Sequence, residues 1–181
     1  MKMIWSELES PLGAMLLATD DQGRVRALEF AERRSRLHRN LRSRYGACEL
    51  AGGPAPHAVA DALRRYFAGD LDALDGIVVA SAGSDQQERA WAALRRVRAG
   101  QTTTYGAIGK SMGIDDWRAS VDAGAAVGAN PIALIVPCHR VLGTNGDLKG
   151  YAWGLHRKRW LLEHEAAIEV RRAAPQTAAL F

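Results

Sequence analysis

The chain has 181 residues, 48% of them hydrophobic and 24% charged, which is an ordinary composition for a globular protein with one large core or two small ones. No apolar run approaches the ~20 residues that a membrane span needs, and charges near the N-terminus argue against a secretory signal. The two cysteines give neither a disulfide framework nor the spacing of zinc ligands, so we expect no metal and a reducing cytoplasm.

The net charge of +4 is unevenly distributed. Residues 1–80 hold 11 basic and 11 acidic side chains, whereas residues 81–165 hold 11 basic and 8 acidic ones. A surplus of this size permits nucleic-acid binding but does not establish it.

The first part of the chain predicts strands followed by helices. The segment "AMLLATDDQGRVRALEF" has two apolar runs around the turn residues 20–23, which is typical of a β-hairpin. Residues 31–44 hold six arginines, and the spacing of Leu37 and Leu41 predicts a surface helix whose charges are interpreted as a solvated face. The segment "HAVADALRRYFAGD" predicts a short amphipathic helix that ends at Gly69.

A second set of helices is predicted after a domain boundary near "VVASAGSDQQ". Ser84 and Gln87 form a capping-box pattern that opens a helix running to about Arg98. The stretches "TTTYGAIGKSMG" and "WRASVDAGAAVG", separated by "GIDD", predict two more helices in the layout of a helix-turn-helix, which is a weak indication by itself. The small residues of the last helix, residues 117–128, fit either tight helix packing or entry into a narrow groove.

The segment "NPIALIVPCHRVLG" places one of the two cysteines beside a histidine. Residues 132–136 are apolar and predict a buried extended segment that ends at Pro137, so that Cys138 is held at the exit of a rigid element. Cys138 is then either a small buried hydrophobe, the commonest role of a free cysteine, or a nucleophile. Because a thiol with a pKa of about 8.5 is mostly protonated at pH 7, a nucleophile here needs a base, which His139 could supply directly or through a water.

The helix predicted in "GLHRKRWLLEHEAA" offers a third group. Leu161 and Leu162 mark its buried stripe, and Glu165 points inward with them, whereas Glu163 faces solvent. A buried carboxylate is costly unless it is paired, and a basic imidazole needs a partner that fixes its tautomer. The spacing therefore suggests that Glu165 pairs with His139.

Together these segments resemble the O6-alkylguanine-DNA alkyltransferases, also called methylated-DNA–protein-cysteine methyltransferases. The resemblance rests on "NPIALIVPCHRV", "GYAWGLHRKRWLLEHE" and "QTTTYGAIG", with further similarity at "SPLG" and "LRRYFAGDLDALD". It implies an α/β (α+β) fold with three parts: an N-terminal domain (1–80) with a small antiparallel sheet and helices, a mostly helical domain (81–168) with the helix-turn-helix, and a tail (169–181). It also implies a cytoplasmic, monomeric DNA repair protein that needs no cofactor and binds double-stranded DNA containing O6-alkylguanine.

The resemblance assigns roles to individual residues. Cys138 would accept the alkyl group once and permanently, His139 would deprotonate it through a water while paired with Glu165, and Asn130 would brace the turn. Tyr105 would bind the flipped base, help to rotate the 3′ phosphate and donate a proton to the leaving guanine. The implied substrate-binding residues are Tyr105, Val141, Tyr151, Ala152 and Trp153, the last of which predicts that bulky adducts such as benzyl fit poorly. The implied DNA-binding residues are Arg118, Val121, Ala123, Gly124 and Arg140.

The chain departs from the family pattern in the predicted recognition helix. The family carries an arginine nine residues before the asparagine of Asn-Pro, where it fills the stack left by the flipped base. Here that position is Val121, which could act as an apolar wedge instead. Asp115, Asp116 and Asp122 would meet phosphates unfavourably. An aromatic residue expected near position 86 is also absent.

Two functional hypotheses follow. The first is DNA repair by single-turnover alkyl transfer to Cys138. The second, motivated by Val121, is a divergent member that acts on a non-duplex alkylated substrate or serves as an alkylation sensor. The affinity for duplex DNA and its dependence on salt distinguish the two hypotheses.

Overall fold

A four-stranded sheet occupies the first part of the computed structural model, which describes residues 1–169. The tail expected over 169–181 therefore lies, apart from its first residue, outside the described residues. The strands are β1 (Lys2–Leu8), β2 (Met15–Asp20), β3 (Val25–Phe30) and β4 (Glu49–Gly52), in the spatial order β3-β2-β1-β4. The hairpin of β2 and β3 is confirmed, and β1 to β3 are antiparallel as predicted. β4 was not predicted and pairs parallel to β1.

Strand β2 is covered on both faces, because all six of its residues are buried. Met15 and Leu17 face the main core, whereas Leu16 and Ala18 pack with Leu37 and other residues of the following helix. This alternation is the two-residue period of a strand. The sheet thus separates a small core beneath one helix from a large core shared with the rest of the chain.

Residues 1–169 also form six α-helices. They are α1 (Arg34–Tyr45), α2 (His57–Phe67), α3 (Asp85–Leu94), α4 (Tyr105–Ser111), α5 (Ala119–Gly128) and α6 (Leu155–His164). A short parallel pair, β5 (Thr103–Thr104) and β6 (Val141–Leu142), accompanies them. Nowhere in residues 1–169 is a helix long and apolar enough to cross a membrane. The domain boundary near residue 80 stays a prediction.

The predicted capping residues are confirmed, whereas two predicted helix boundaries are shifted. Ser84 and Gln87 form the complete capping box of α3, and the Thr104 side chain caps α4 by accepting from the amide of Ala107 at 3.2 Å. However, α3 ends at Leu94 rather than near Arg98, and α5 begins two residues later than predicted.

Helices α4 and α5 lie against each other with almost no space between them. A Cβ added at Gly109 would come within 2.3 Å of the Ala119 carbonyl oxygen, so the contact requires glycine. Ala123 is fully buried on the inner face of α5. The small residues of this face therefore serve helix packing, and the expectation that Ala123 contacts DNA is wrong because its side chain points into the core. A DNA-binding role for the α4–α5 pair stays a prediction.

The apolar segment before the cysteine is buried but not extended. Residues 132–136 are all buried, yet only Ile132 pairs with the sheet, in a bridge to Leu28. The chain then turns, and Leu134 adopts a positive φ of 63°. The prediction of an extended segment was wrong. A run of apolar residues indicates burial, but it has no hydrophobic periodicity that could distinguish a strand from a turn. The bridge to β3 fixes the start of the turn that carries Cys138.

Candidate active site

Cys138 opens a one-turn 3₁₀ helix, Cys138–Arg140, at the floor of a cavity of about 330 Å³. Because this backbone is a turn and not a strand, Cys138 and His139 are not forced onto opposite faces as adjacent residues of a strand are. The Cys138 residue is 4% exposed and reaches the cavity. The other lining residues are Tyr105, Gly124, Val127, Gly128, Gly150, Tyr151 and Ala152.

Asn130 holds the cysteine in place through three hydrogen bonds. Its Nδ2 donates to the Val136 carbonyl at 2.9 Å and to the Cys138 sulfur at 3.2 Å, and its Oδ1 accepts from the Ile132 amide at 2.9 Å. Because Asn130 is fully buried, these bonds are not weakened by competition with water. The structure thus gives Asn130 the bracing position that the resemblance implied.

The thiol of Cys138 needs activation. Burial raises its pKa to about 11, although the hydrogen bond from Asn130 and the positive charge of Lys158 act in the opposite direction. At neutral pH the sulfur therefore carries its proton, and a nearby base has to remove it before the sulfur can attack.

His139 and Glu165 form a fully buried pair. His139 Nε2 lies 2.8 Å from Glu165 Oε1, and since the carboxylate only accepts, Nε2 carries the hydrogen. Nδ1 is then the basic nitrogen, and it has no hydrogen-bond partner among residues 1–169. Burial lowers the pKa of His139 despite the opposing charge of Glu165, which keeps the imidazole neutral and able to accept a proton.

Glu165 is the centre of a larger network than the sequence suggested. Arg140 donates to both carboxylate oxygens, each at 2.9 Å, and the Tyr66 hydroxyl donates to Oε1 at 2.6 Å. Burial alone would raise the pKa of Glu165, but the charges and hydrogen bonds of His139 and Arg140 lower it well below its usual range. Glu165 directly follows α6 and is 1% exposed, so its inward direction, predicted from the helical phase, is confirmed.

From the sequence, Arg140 was assigned a different role and Tyr66 was not identified as part of this network. Arg140 was expected to contact DNA, but its side chain is 6% exposed and bound to Glu165 and to the Val97 carbonyl, so it is not available to phosphates. Tyr66 lies 99 residues from Glu165 in sequence. Its place on the buried stripe of α2 could be read from the helical period, but no local pattern indicates the distant carboxylate.

The rim of the cavity carries two tyrosines. The Tyr105 hydroxyl lies 3.5 Å from the Gly150 carbonyl oxygen, and burial raises the tyrosine's pKa, so the phenol keeps a proton that it can donate. The Tyr151 hydroxyl is buried, and within residues 1–169 no group hydrogen-bonds to it. Tyr105, Tyr151 and Ala152 all line the cavity, which gives it aromatic walls suited to a flat ring.

Trp153 and Val141 do not line the cavity as expected. Trp153 packs edge-on behind Tyr151, with ring centroids 5.0 Å apart, and its indole donates to buried Glu29. Val141 is fully buried, and its carbonyl accepts from Lys158 Nζ at 2.6 Å. The expectation that Trp153 itself narrows the pocket is therefore wrong, because its indole packs against Tyr151 and does not line the cavity. That bulky adducts fit poorly stays a prediction.

The remaining predicted DNA contacts lie on or near α5. Val121 is 65% exposed, and Gly124 lines the cavity. Arg118 is exposed but pairs with Asp116 at 2.9 Å, which partly neutralises its charge. Across residues 1–169 no group of three or more His, Cys, Asp or Glu side chains could hold a metal ion.

Comparison with known proteins places this site in a family. The model of the 6-O-methylguanine DNA methyltransferase DNA-binding domain matches residues 85–167. A Salmonella typhimurium protein named methylated-DNA–protein-cysteine methyltransferase is 39% identical over 167 residues, covering 91% of this chain and 96% of the relative. A Mycobacterium tuberculosis protein of the same name is 37% identical over 179 residues, covering 96% of each.

Solved structures share the fold. The crystal structure of Mycobacterium tuberculosis O6-methylguanine methyltransferase matches with a TM-score of 0.73 at 35% identity, covering 91% of this chain and 93% of that chain. A structure of Mycobacterium tuberculosis OGT in complex with DNA matches with the same values.

A buried thiol that lines a cavity and is followed in the chain by a histidine paired with a glutamate is a combination typical of a protein whose cysteine acts as a nucleophile. The alignments with these two relatives span nearly the whole chain and nearly the whole length of each relative. The chain belongs to the methylated-DNA–protein-cysteine methyltransferase family.

Proposed function

We propose that the protein repairs DNA by moving the alkyl group of O6-alkylguanine to the sulfur of Cys138. The observation that carries this proposal is the buried Cys138 thiol that lines the cavity and is followed directly in the chain by His139, whose imidazole pairs with buried Glu165. The family relatives, one of them solved in complex with DNA, support DNA as the partner. Incubation with a duplex labelled in the methyl group of O6-methylguanine tests it, because the label should move to the protein.

The reaction balances with the residues present. His139 Nδ1 takes the thiol proton, directly or through a water, and the thiolate attacks the alkyl carbon. The bond between that carbon and O6 breaks, and guanine leaves with the electron pair. Tyr105 donates a proton to the guanine anion and is reprotonated at the expense of the His139 cation. Since the thioether is permanent, each molecule acts once.

The alkylated base has to leave the duplex before this can happen, because O6 cannot be attacked within the stack. We propose that helices α4 and α5 form the helix-turn-helix expected from the sequence; α5 supplies Gly124, Val127 and Gly128 to the cavity. We propose that α5 lies on the duplex and that the cavity holds the flipped guanine between Tyr105 and Tyr151. The alternative of a non-duplex substrate is not favoured, given the relative solved with DNA.

The two cysteines support a reducing location. Cys48 and Cys138 are both free, and Cys138 would be inactivated by oxidation. A cytoplasmic location is therefore part of the proposal.

Val121→Arg is expected to raise the affinity for an O6-methylguanine duplex about tenfold. Val121 is exposed on α5, where a cation could fill the vacated stack, and one new DNA contact contributes about 1–3 kcal/mol. Duplex affinity and single-turnover transfer rates measure the effect. Adding Asp122→Ala should increase it further by removing a carboxylate.

Transfer from free O6-methylguanine is the control for Val121→Arg, because it needs no flipping and should change little. If duplex affinity and transfer also stay unchanged, Val121 does not face the vacated stack. Arg118→Ala, measured with both substrates, then shows whether Arg118 already supplies the cation despite its pairing with Asp116.

A further inference from the structure

The solvent face of α1 is a basic surface. Its exposed residues form a shallow groove of about 550 Å³, which we call the α1 basic face. The members are Ser35, His38, Arg39, Arg42 and Ser43. Within residues 1–169, neither Arg39 nor Arg42 forms an ion pair. Two guanidinium groups and two hydroxyls thus face solvent together.

Exposed arginines on α2 behave differently. Arg64 pairs with Asp61 at 2.5 Å, and Arg65 pairs with Asp70. These pairs neutralise the surface locally, which is the usual arrangement of a solvated helix. Solvation alone therefore accounts for the α2 arginines, whereas the α1 basic face keeps its charge without neighbouring carboxylates in its groove.

Another side of α1, next to the α1 basic face, is bound to the end of α5. Arg36 donates to the carbonyls of Gly128 and Asn130, each at 3.1 Å, and Arg44 donates to the carbonyl of Ala129 at 2.9 Å. Gly128 lines the cavity, and Asn130 holds Cys138. These bonds fasten α1 to the wall of the active site.

The helical geometry of α1 places Arg39 and Arg42 next to the side of the helix that is bound to α5. Arg39 follows Arg36 by three residues, about 4.5 Å along the axis and about 60° around it. Arg39 therefore borders the side of α1 that is bound to α5, and Arg42 lies one further step along the exposed side.

We propose that the α1 basic face binds the phosphate backbone of the duplex whose alkylated base enters the cavity. This proposal rests on the proposed function. Guanidinium and hydroxyl groups are the donors that position phosphates without reading sequence. Asp115 precedes α5 and Asp122 lies in its first turn, and both would oppose phosphates there. Positive charge near the other end of α5 would offset that repulsion.

The test compares two double variants that remove the same charge. Arg39→Ala with Arg42→Ala should reduce the slope of log affinity against log salt by about 1.8, since each lost phosphate contact is worth about 0.9. Arg64→Ala with Arg65→Ala, which removes two arginines already paired on α2, should keep the wild-type slope. Both should transfer methyl groups from free O6-methylguanine at the wild-type rate.

The outcomes separate this proposal from the proposed function. If the wild type binds the duplex and the α1 double variant keeps its slope, the α1 proposal is overturned while the proposed function stands. Equal losses in both double variants also overturn it, because net charge alone would then explain the effect. A wild type that neither binds the duplex nor transfers the alkyl group overturns the proposed function itself.

A second inference concerns Tyr66, which nothing in the reaction above uses. Tyr66 lies on α2, is completely buried, and donates its hydroxyl to the same Glu165 oxygen that holds His139 Nε2. We infer that Tyr66 is a positioning residue, which fixes Glu165 so that His139 presents Nδ1 to the Cys138 thiol. This inference also rests on the proposed function.

Tyr66→Phe should slow transfer from free O6-methylguanine about tenfold and move the acid limb of the pH–rate profile to higher pH. Without the hydroxyl, the Glu165 charge is less dispersed and stabilises the His139 cation more, so the pKa of the imidazole rises. Tyr45→Phe is the matched control, because it removes a hydroxyl bonded at 2.6 Å to the Ala80 carbonyl, away from Glu165. A wild-type rate and pH profile in Tyr66→Phe, beside active wild type, overturn the inference.

Discussion

Replacement of Cys138 by alanine is expected to abolish alkyl transfer, whereas Cys48→Ala should keep the wild-type amount of transfer. Cys138 lines the cavity and directly precedes His139, whose imidazole pairs with Glu165. Cys48 is half-buried in another surface cavity, with His38 among its lining residues but no carboxylate to support that histidine. Intact mass after incubation with an O6-methylguanine duplex measures both variants.

The control for Cys138→Ala is duplex binding, which should persist because the thiol makes no contribution to the phosphate contacts. Transfer by Cys138→Ala at the wild-type level, or its loss in Cys48→Ala, would show that the acceptor lies elsewhere.

Glu165→Gln is expected to slow transfer by a factor of about 10²–10⁴, which is the range that a positioned base contributes. The carboxylate fixes the His139 tautomer and stabilises the cation that forms when the thiol loses its proton. The change also leaves Arg140 as a buried cation without its counter-charge, which costs about 3–5 kcal/mol of stability. Rates should therefore be measured at a temperature where thermal unfolding shows the variant to be folded.

Glu163→Gln is the matched control on the same helix. Glu163 has only a 3.9 Å approach to Arg159 among its ion pairs within residues 1–169, so its loss should leave the rate and the unfolding temperature near the wild-type values. A folded Glu165→Gln variant with normal rates, or a larger loss in Glu163→Gln, would contradict the role given to Glu165.

Features of the site and the fold could be predicted from the sequence where hydrophobic periodicity or a capping pattern was strong. The phase set by Leu161 and Leu162 indicated that Glu165 points inward, and Ser84 with Gln87 marked the start of α3 correctly. These signals are local, because they depend on residues within one or two helical turns.

Features decided by tertiary contacts could not be predicted in this way. β4 consists of four mostly exposed residues, so it has no buried period to reveal it. Residues 132–136 are buried throughout, and uniform burial cannot separate a strand from a turn. The directions of Arg140 and Trp153 depend on Glu165 and Glu29, which lie 25 and 124 residues away in sequence.

The most direct test of alkyl transfer to Cys138 is the mass of the wild-type protein after reaction with excess O6-methylguanine duplex. We expect the intact mass to rise by one methyl group per chain and then stop, with the added mass in the peptide that contains Cys138. Repeated turnover, methylation at another residue, or an unchanged mass would contradict the assignment of Cys138 as a single-use acceptor.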